Sequence, residues 1–337
     1  MGMREISRRT FLAGGAAIAA TACAGPVARP GIPERASGVW SSGAPAPSAR
    51  SEVGGAAIGG VIYVAGGLGR DAQRGDFTSD ALEAYDVAAD RWTVRAPLPE
   101  PIHHPGVTAL DGLLYLVGGY APDWRPLASA YRYDPAADRW EKLPSLPTAR
   151  GALVAVAAGG RVWAIGGRAA TDVAAVEAFD PMAGVWTRQT AMPTPRDHHA
   201  AAVIDGTIYV VGGRLDGRGN LDVLEAYDPT LDQWTTLAPL PTARSGIAAA
   251  VLDGRMWVFG GEGDRIFGDN EVYAPATGRW ERDVPMPTPR HGLAAAPVGD
   301  AIYVVAGGPQ PGYFVSDLVE IYRPARAGHA FLPIVGS

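Results

Sequence analysis

The sequence predicts an all-β protein, a six-bladed β-propeller with four-stranded antiparallel blades. Three observations predict it. A unit marked by Trp40, Trp92, Trp140, Trp186, Trp234 and Trp280 recurs at intervals of 46 to 52 residues. Within every interval the same order returns: an apolar run, a Gly-Gly pair, an aromatic residue, then tryptophan. Glycine (44 residues) and proline (29) are abundant without a collagen period, as many tight turns between short strands require. The chain is 337 residues long, 47% apolar and 19% charged, so it can bury a sizeable core and is not expected to be disordered.

The N-terminus reads as an address rather than as part of the fold. Arg8-Arg9 precedes Thr10-Phe11-Leu12 and a Gly/Ala-rich, weakly apolar stretch to Ala22, the parts of a twin-arginine signal peptide over residues 1–22. Cys23, the one cysteine of the chain, stands where a lipoprotein signal places the lipidated residue; Ala20-Thr21-Ala22 fits an ordinary small-x-small cleavage site equally well. Both readings stay open, and both place the protein outside the cytoplasm, in the periplasm or at the cell surface, released or lipid-anchored. A lone cysteine makes no intramolecular disulfide. Residues 23–37 are a Pro/Ala/Gly-rich linker, and residues 325–337 a C-terminal tail. No apolar run in the body of the chain is long enough to span a membrane. A net charge of −6 without a basic run argues against nucleic-acid binding.

The propeller is expected over residues 38–324. In the unit between Arg244 and Trp280, the first strand runs over Ser245–Leu252, and Asp253-Gly254 supplies a hairpin turn that needs positive φ. The second strand ends at Gly260-Gly261. The pairs at Gly66-Gly67, Gly118-Gly119, Gly166-Gly167 and Gly212-Gly213 match it, as does Gly307-Gly308 with Ala306 read as an insertion. The third strand carries a Glu and an aromatic residue (Glu225 and Tyr227 in the fourth unit), and the fourth carries the tryptophan. The last unit has Tyr322 but no following tryptophan, while Trp40 precedes the first unit without partner strands. The Trp40 strand is therefore expected to complete the sixth blade, and deleting residues 36–44 to destabilise the ring severely.

The order apolar strand, Gly-Gly, Tyr-Asp-Pro, Trp, Pro-x-Pro-x-x-Arg resembles the kelch repeat, and six copies fall in register. That resemblance implies a propeller whose rim binds partners, and intracellular adaptors of the family bind acidic peptides there. Antiparallel geometry places the loops entering strand one and the loops after Gly-Gly on the same rim. The first set offers Arg50, Arg150, Arg196, Arg244 and Arg290, with Ile102 in the second unit; two residues later come Glu52, His104, Ala152, His198, Gly246 and Gly292. The second set adds Arg168 and Arg214, with Tyr120, Trp124, Tyr313 and Phe314 nearby.

These residues suggest a cup for an anionic or hydroxyl-rich ligand, because a guanidinium fork suits carboxylates and phosphates. The alternative is that the repeat arginines bond backbone carbonyls or pair with the repeat Glu of a neighbouring blade. Histidines 103, 104, 198, 199 and 291 follow the arginine position in alternate units. Extended strands point sequence neighbours apart, so each pair would give at most one ligand, and no metal or other cofactor is expected. The leading reading is a monomeric, non-catalytic module for a protein, peptide or glycan. The alternative is an enzyme resembling sialic acid mutarotases, with Glu52 and Arg196 or Arg244 in the acid–base and carboxylate-holding roles. Copper chemistry of the galactose oxidase type implies a cysteine-linked tyrosine, and residues 24–337 hold no cysteine.

Overall fold

Residues 32–33, 38–71 and 75–325 are described by the computed structural model. Arg8, Arg9, Cys23, the signal segment and nearly all of the linker and tail lie outside the described residues.

Each of the six units folds as expected into a four-stranded antiparallel sheet. Blade 1 comprises Gly54–Ile58, Val61–Ala65, Leu82–Asp86 and Arg91–Val94; blade 4, Ala200–Ile204, Thr207–Val211, Leu224–Asp228 and Gln233–Thr236. The innermost strands stand side by side around an axis, and that of blade 6, Ala294–Val298, returns to lie against Gly54–Ile58 of blade 1. The sixth blade is closed by the N-terminal strand: Val39–Ser42 pairs antiparallel with Val319–Arg323, with Trp40 opposite Tyr322.

The apolar core is distributed. Six clusters occur among the described residues, each between two neighbouring blades. The cluster between blades 6 and 1 includes Tyr303, Val305, Tyr85 and Ile62, so the seam is packed like the other interfaces. The repeat tryptophans fasten these interfaces. The indole N–H of Trp92 donates to the Ala44 carbonyl at 2.8 Å, Trp140 to Ala96 at 3.0 Å, Trp234 to Thr190 at 3.0 Å and Trp40 to Val284 at 3.1 Å. In each case the acceptor lies in the segment preceding the tryptophan's own blade, so one side chain joins two blades.

Two expectations need correction. Strand one begins four residues after the arginine position, at Ala248 rather than Ser245 in blade 5, because Gly246 takes φ +64° and breaks the extended chain. Ala306 is not an insertion. It occupies the first glycine place, at φ +60°, and Gly307, at +96°, the second; the equivalent pair Gly260-Gly261 sits at +66° and +119°. Glycine suits that pair because a Cβ on Gly260 would stand 2.3 Å from the Arg290 carbonyl oxygen.

Candidate functional site at the propeller axis

The five repeat arginines do not line a cup. Arg50, Arg150, Arg196, Arg244 and Arg290 are all fully enclosed, and each pairs with a glutamate of its own blade, not of a neighbour. The partners are Glu83 at 2.7 Å, Glu177 at 2.6 Å, Glu225 at 2.9 Å, Glu271, and Glu320 at 2.9 Å. Arg150 also donates to the carbonyls of Gly166, Thr148 and Ala164, so its fork is fully engaged in holding the second strand and the Gly-Gly turn. Desolvation lowers the pKa of Arg50, Arg150, Arg196 and Arg290, and the paired carboxylates pull against it. The pairing expected for a mutarotase-like site is therefore not assembled: Arg196 and Arg244 belong to Glu225 and Glu271 rather than to Glu52.

The position two residues further on builds the axis. Glu52, His104, Ala152, His198, Gly246 and Gly292 all adopt φ between +51° and +64°. Their peptides are linked in sequence around the axis. The N–H of His104 donates to Glu52, Ala152 to His104, His198 to Ala152, Gly246 to His198 and Gly292 to Gly246, at 2.9 to 3.1 Å, and Val53 completes the circuit to Gly292 at 3.4 Å. The left-handed backbone ends the alternation of the strand. That is why His103 and His104, expected to point apart, face each other with Nδ1 atoms 2.6 Å apart.

Side chains from three repeat positions meet above this circuit. His104 Nε2 lies 3.1 Å from a Glu52 oxygen, and His291 Nε2 lies 3.6 Å from the other. Asp197 holds Nδ1 of His198 at 2.5 Å, while Arg214 donates to Asp197 at 2.9 Å, to His198 Nε2 at 3.2 Å and to Glu262 at 3.2 Å. Arg168 sits among Asp172 (3.1 Å), Asp216 (2.5 Å) and Asp197 (3.7 Å). Both arginines the sequence placed after Gly-Gly are thus on this face, and both are already matched by carboxylates.

Burial sets the protonation states. It lowers His103 to about 4 and His104 well below the ordinary imidazole value, so both are neutral at neutral pH. Burial by itself would raise Asp197, but its hydrogen bond to His198 and the charges around it hold the carboxyl below the usual range.

Aromatic residues roof the cluster. The Trp124 ring lies 4.4 Å from the His103 ring and 5.5 Å from those of His104 and Tyr120, yet remains 45% exposed. Tyr313, 6.3 Å from Trp124, and Phe314 are also exposed on loops beside it. Below the cluster runs a cavity of about 400 Å³, walled by small residues such as Gly55, Ala56, Ala201 and Ala249.

Of the ten residues expected at the rim, Glu52, His104, Arg168, His198 and Arg214 come together; the five repeat arginines do not. Sequence reasoning passed over Asp172, Asp197, Asp216 and Glu262. The missing signal was the position directly after the arginine (Ser51, His103, Gly151, Asp197, Ser245, His291), which bridges to the residue after each glycine pair, for example Asp197 to Arg214 and Ser245 to Glu262.

Fold and axial site define a β-propeller whose polar centre sits where its loops converge. Residues 106–308 match the family model described as the KLHDC2/KLHL20/DRC7 Kelch-repeats domain, and residues 49–99 match the Kelch motif. The chain belongs to the kelch-repeat family. It is 32% identical over 83 residues to Kelch-like protein 35 of Mus musculus, covering 25% of this chain and 14% of that one. It is 38% identical over 80 residues to Beta-scruin of Limulus polyphemus, covering 24% of this chain and 8% of that one. With Kelch-like protein terF of Aspergillus terreus it shares 31% identity over 70 residues, 21% of this chain and 15% of that one. The matched stretches thus span a small part of these relatives. Among the described residues no helix is long and apolar enough to cross a membrane.

Proposed function

We propose that this chain is a non-catalytic kelch-type binding module whose ligand face is the one roofed by Trp124, Tyr313 and Phe314, and whose ligand is rich in hydroxyl groups. One observation carries the reading: exposed aromatic rings stand directly over a cluster of paired donors and acceptors. Aromatic faces stack on the apolar faces of sugars and on peptide side chains, while exposed aromatics dominate binding energy where they can be desolvated. Arg168 and Arg214 contact four carboxylates between them, Asp172, Asp197, Asp216 and Glu262. Such a surface offers a simple anion little net attraction, so the hydroxyl-rich ligand is favoured over the anionic one. A glycan and a Ser/Thr-rich peptide loop of a protein partner share this chemistry.

The test is a titration of the protein with neutral oligosaccharides, acidic oligosaccharides and Ser/Thr-rich peptides, followed by tryptophan fluorescence and melting temperature. A neutral hydroxyl-rich ligand should raise the melting temperature by mass action, and Trp124→Ala should abolish that rise, measured against the variant's own unliganded melting temperature. Preference for sulfate, phosphate or acidic sugars, unaffected by Trp124→Ala, would sink the reading. The oligosaccharide and peptide arms separate the two sources. We further propose export by the twin-arginine route, supported by Arg8-Arg9 and the stretch to Ala22, with Cys23 as the candidate lipid-bearing residue. Loss of export in Arg8→Lys/Arg9→Lys and loss of membrane association in Cys23→Ser would support these points separately.

A further inference from the structure

We propose that Glu52, His104 and His198 bind one divalent transition-metal ion of the zinc class at the propeller axis. One donor atom from each lies within 4.8 Å of the other two. Two imidazoles and a carboxylate are a ligand set that suits Zn²⁺, with bonds of about 2.0–2.2 Å. Tetrahedral donors then stand about 3.4 Å apart, so rotations of these side chains by roughly an ångström close the site. The backbone need not move, because the peptide circuit holds all three residues.

Three further observations point to an ion. The imidazole nitrogen away from the site is held in both histidines: Asp197 accepts from His198 Nδ1, and His103 Nδ1 meets His104 Nδ1. Such outer partners fix the ring so that the opposite nitrogen presents its lone pair. Next, the five carboxylates of Glu52, Asp172, Asp197, Asp216 and Glu262 gather here against two guanidiniums, those of Arg168 and Arg214, which leaves an excess of negative charge where a cation would sit. Finally, Glu52, His104 and His198 hold left-handed backbone where blades 5 and 6 use glycine. Non-glycine residues tolerate that region at a cost of about 1–2 kcal/mol each. Gly292 leaves the room this requires, since a Cβ there would stand 2.5 Å from a Glu52 oxygen.

Coordination through Nε2 would require the His104 tautomer that carries its proton on Nδ1 and donates it to His103 Nδ1, with the His103 proton on Nε2, and would displace Arg214 from His198 Nε2. The Arg214 side chain is 41% exposed and keeps its Nε bond to Asp197, so it can yield. Three protein ligands would leave one position of a tetrahedral ion open. The proposal stands independently of the identity of the organic ligand.

The test is calorimetric titration of the chelator-treated full chain with Zn²⁺, on a Cys23→Ser background, with Co²⁺ absorption as a second readout. One ion per chain is expected, with a rise in melting temperature that EDTA reverses. Glu52→Gln, His104→Asn and His198→Asn should each abolish the Co²⁺ spectrum; asparagine is chosen because it accepts left-handed backbone. Asp197→Asn should weaken binding roughly tenfold to 100-fold. Arg214→Ala should tighten it, an outcome that nonspecific binding to surface histidines would not give. Absence of stoichiometric binding, or affinity unchanged by Glu52→Gln and His104→Asn in variants whose metal-free melting temperature is retained, overturns the proposal.

Discussion

Arg150 and Glu177 form an ion pair of 2.6 Å sealed inside blade 3, and blade 2 shows what replaces it. There the arginine position is Ile102 and the glutamate position Tyr131, both buried in one cluster. The third member changes with them. Thr148 donates its hydroxyl to Glu177 in blade 3, whereas in blade 2 Tyr131 donates to Glu100, which occupies the threonine place. A buried pair and an apolar substitute thus serve the same fold, as expected when desolvation offsets most of the Coulomb attraction.

Arg150→Ala should destabilise the protein by about 3–5 kcal/mol, because Glu177 would keep its buried charge with only the Thr148 hydroxyl and the exposed Arg188, at 3.7 Å, beside it. The combined change Thr148→Glu, Arg150→Ile, Glu177→Tyr copies blade 2 and should recover most of that loss. Urea unfolding of the two variants checks both; equal losses would show that the three positions do not act as a unit.

Ala306→Gly should stabilise the protein by roughly 0.5–1 kcal/mol, since the relief of left-handed alanine exceeds the entropy that glycine adds to the unfolded chain. The midpoint of chemical denaturation should rise. A fall would mean that the Ala306 methyl contributes more to the seam between blades 6 and 1 than its backbone costs.

Trp40 closes the ring through its indole bond to Val284 and ring contacts with Tyr322 at 4.9 Å and Phe259 at 5.8 Å. Trp40→Phe should cost about 1 kcal/mol for the lost hydrogen bond, and Trp40→Ala about 3–5 kcal/mol. Deleting residues 36–44 removes the whole closing strand and should abolish cooperative unfolding in calorimetry.

Acid should weaken the outer turns in a defined window. Tyr133 donates to Asp138, which also accepts from the Ala96 N–H, and these bonds hold the carboxyl below its usual value. Stability from a depressed carboxyl is fully present above the unfolded value of about 3.9 and is lost as pH falls through the lower folded one. Burial, followed by Asp138, raises Tyr133 to about 12, so its contribution is present below about 10 and is lost as pH rises through the folded value. Asp138→Asn should therefore flatten the acid limb of melting temperature against pH below about 4. An unchanged limb would remove this pair from the account.

The sequence by itself determined the number of blades, their strand order and the closing strand, because each unit repeats one set of local demands. Asp253-Gly254 needs positive φ at both residues and has it, at +50° and +67°, and the Trp40 strand had an unpaired Tyr322 strand to meet. It also brought Glu52, His104, Arg168, His198 and Arg214 to one face, since strand direction alone places loops. Tertiary structure decided the rest. Whether Arg150 meets ligand or Glu177 depends on whether the segment before strand one folds its side chain inward against strands two and three of the same blade, and no local pattern records that. Whether His103 and His104 diverge depends on a left-handed residue that glycine, alanine, histidine and glutamate all occupy here. Glu52 and His198 lie in blades 1 and 4, and only ring closure brings them to the same point on the axis.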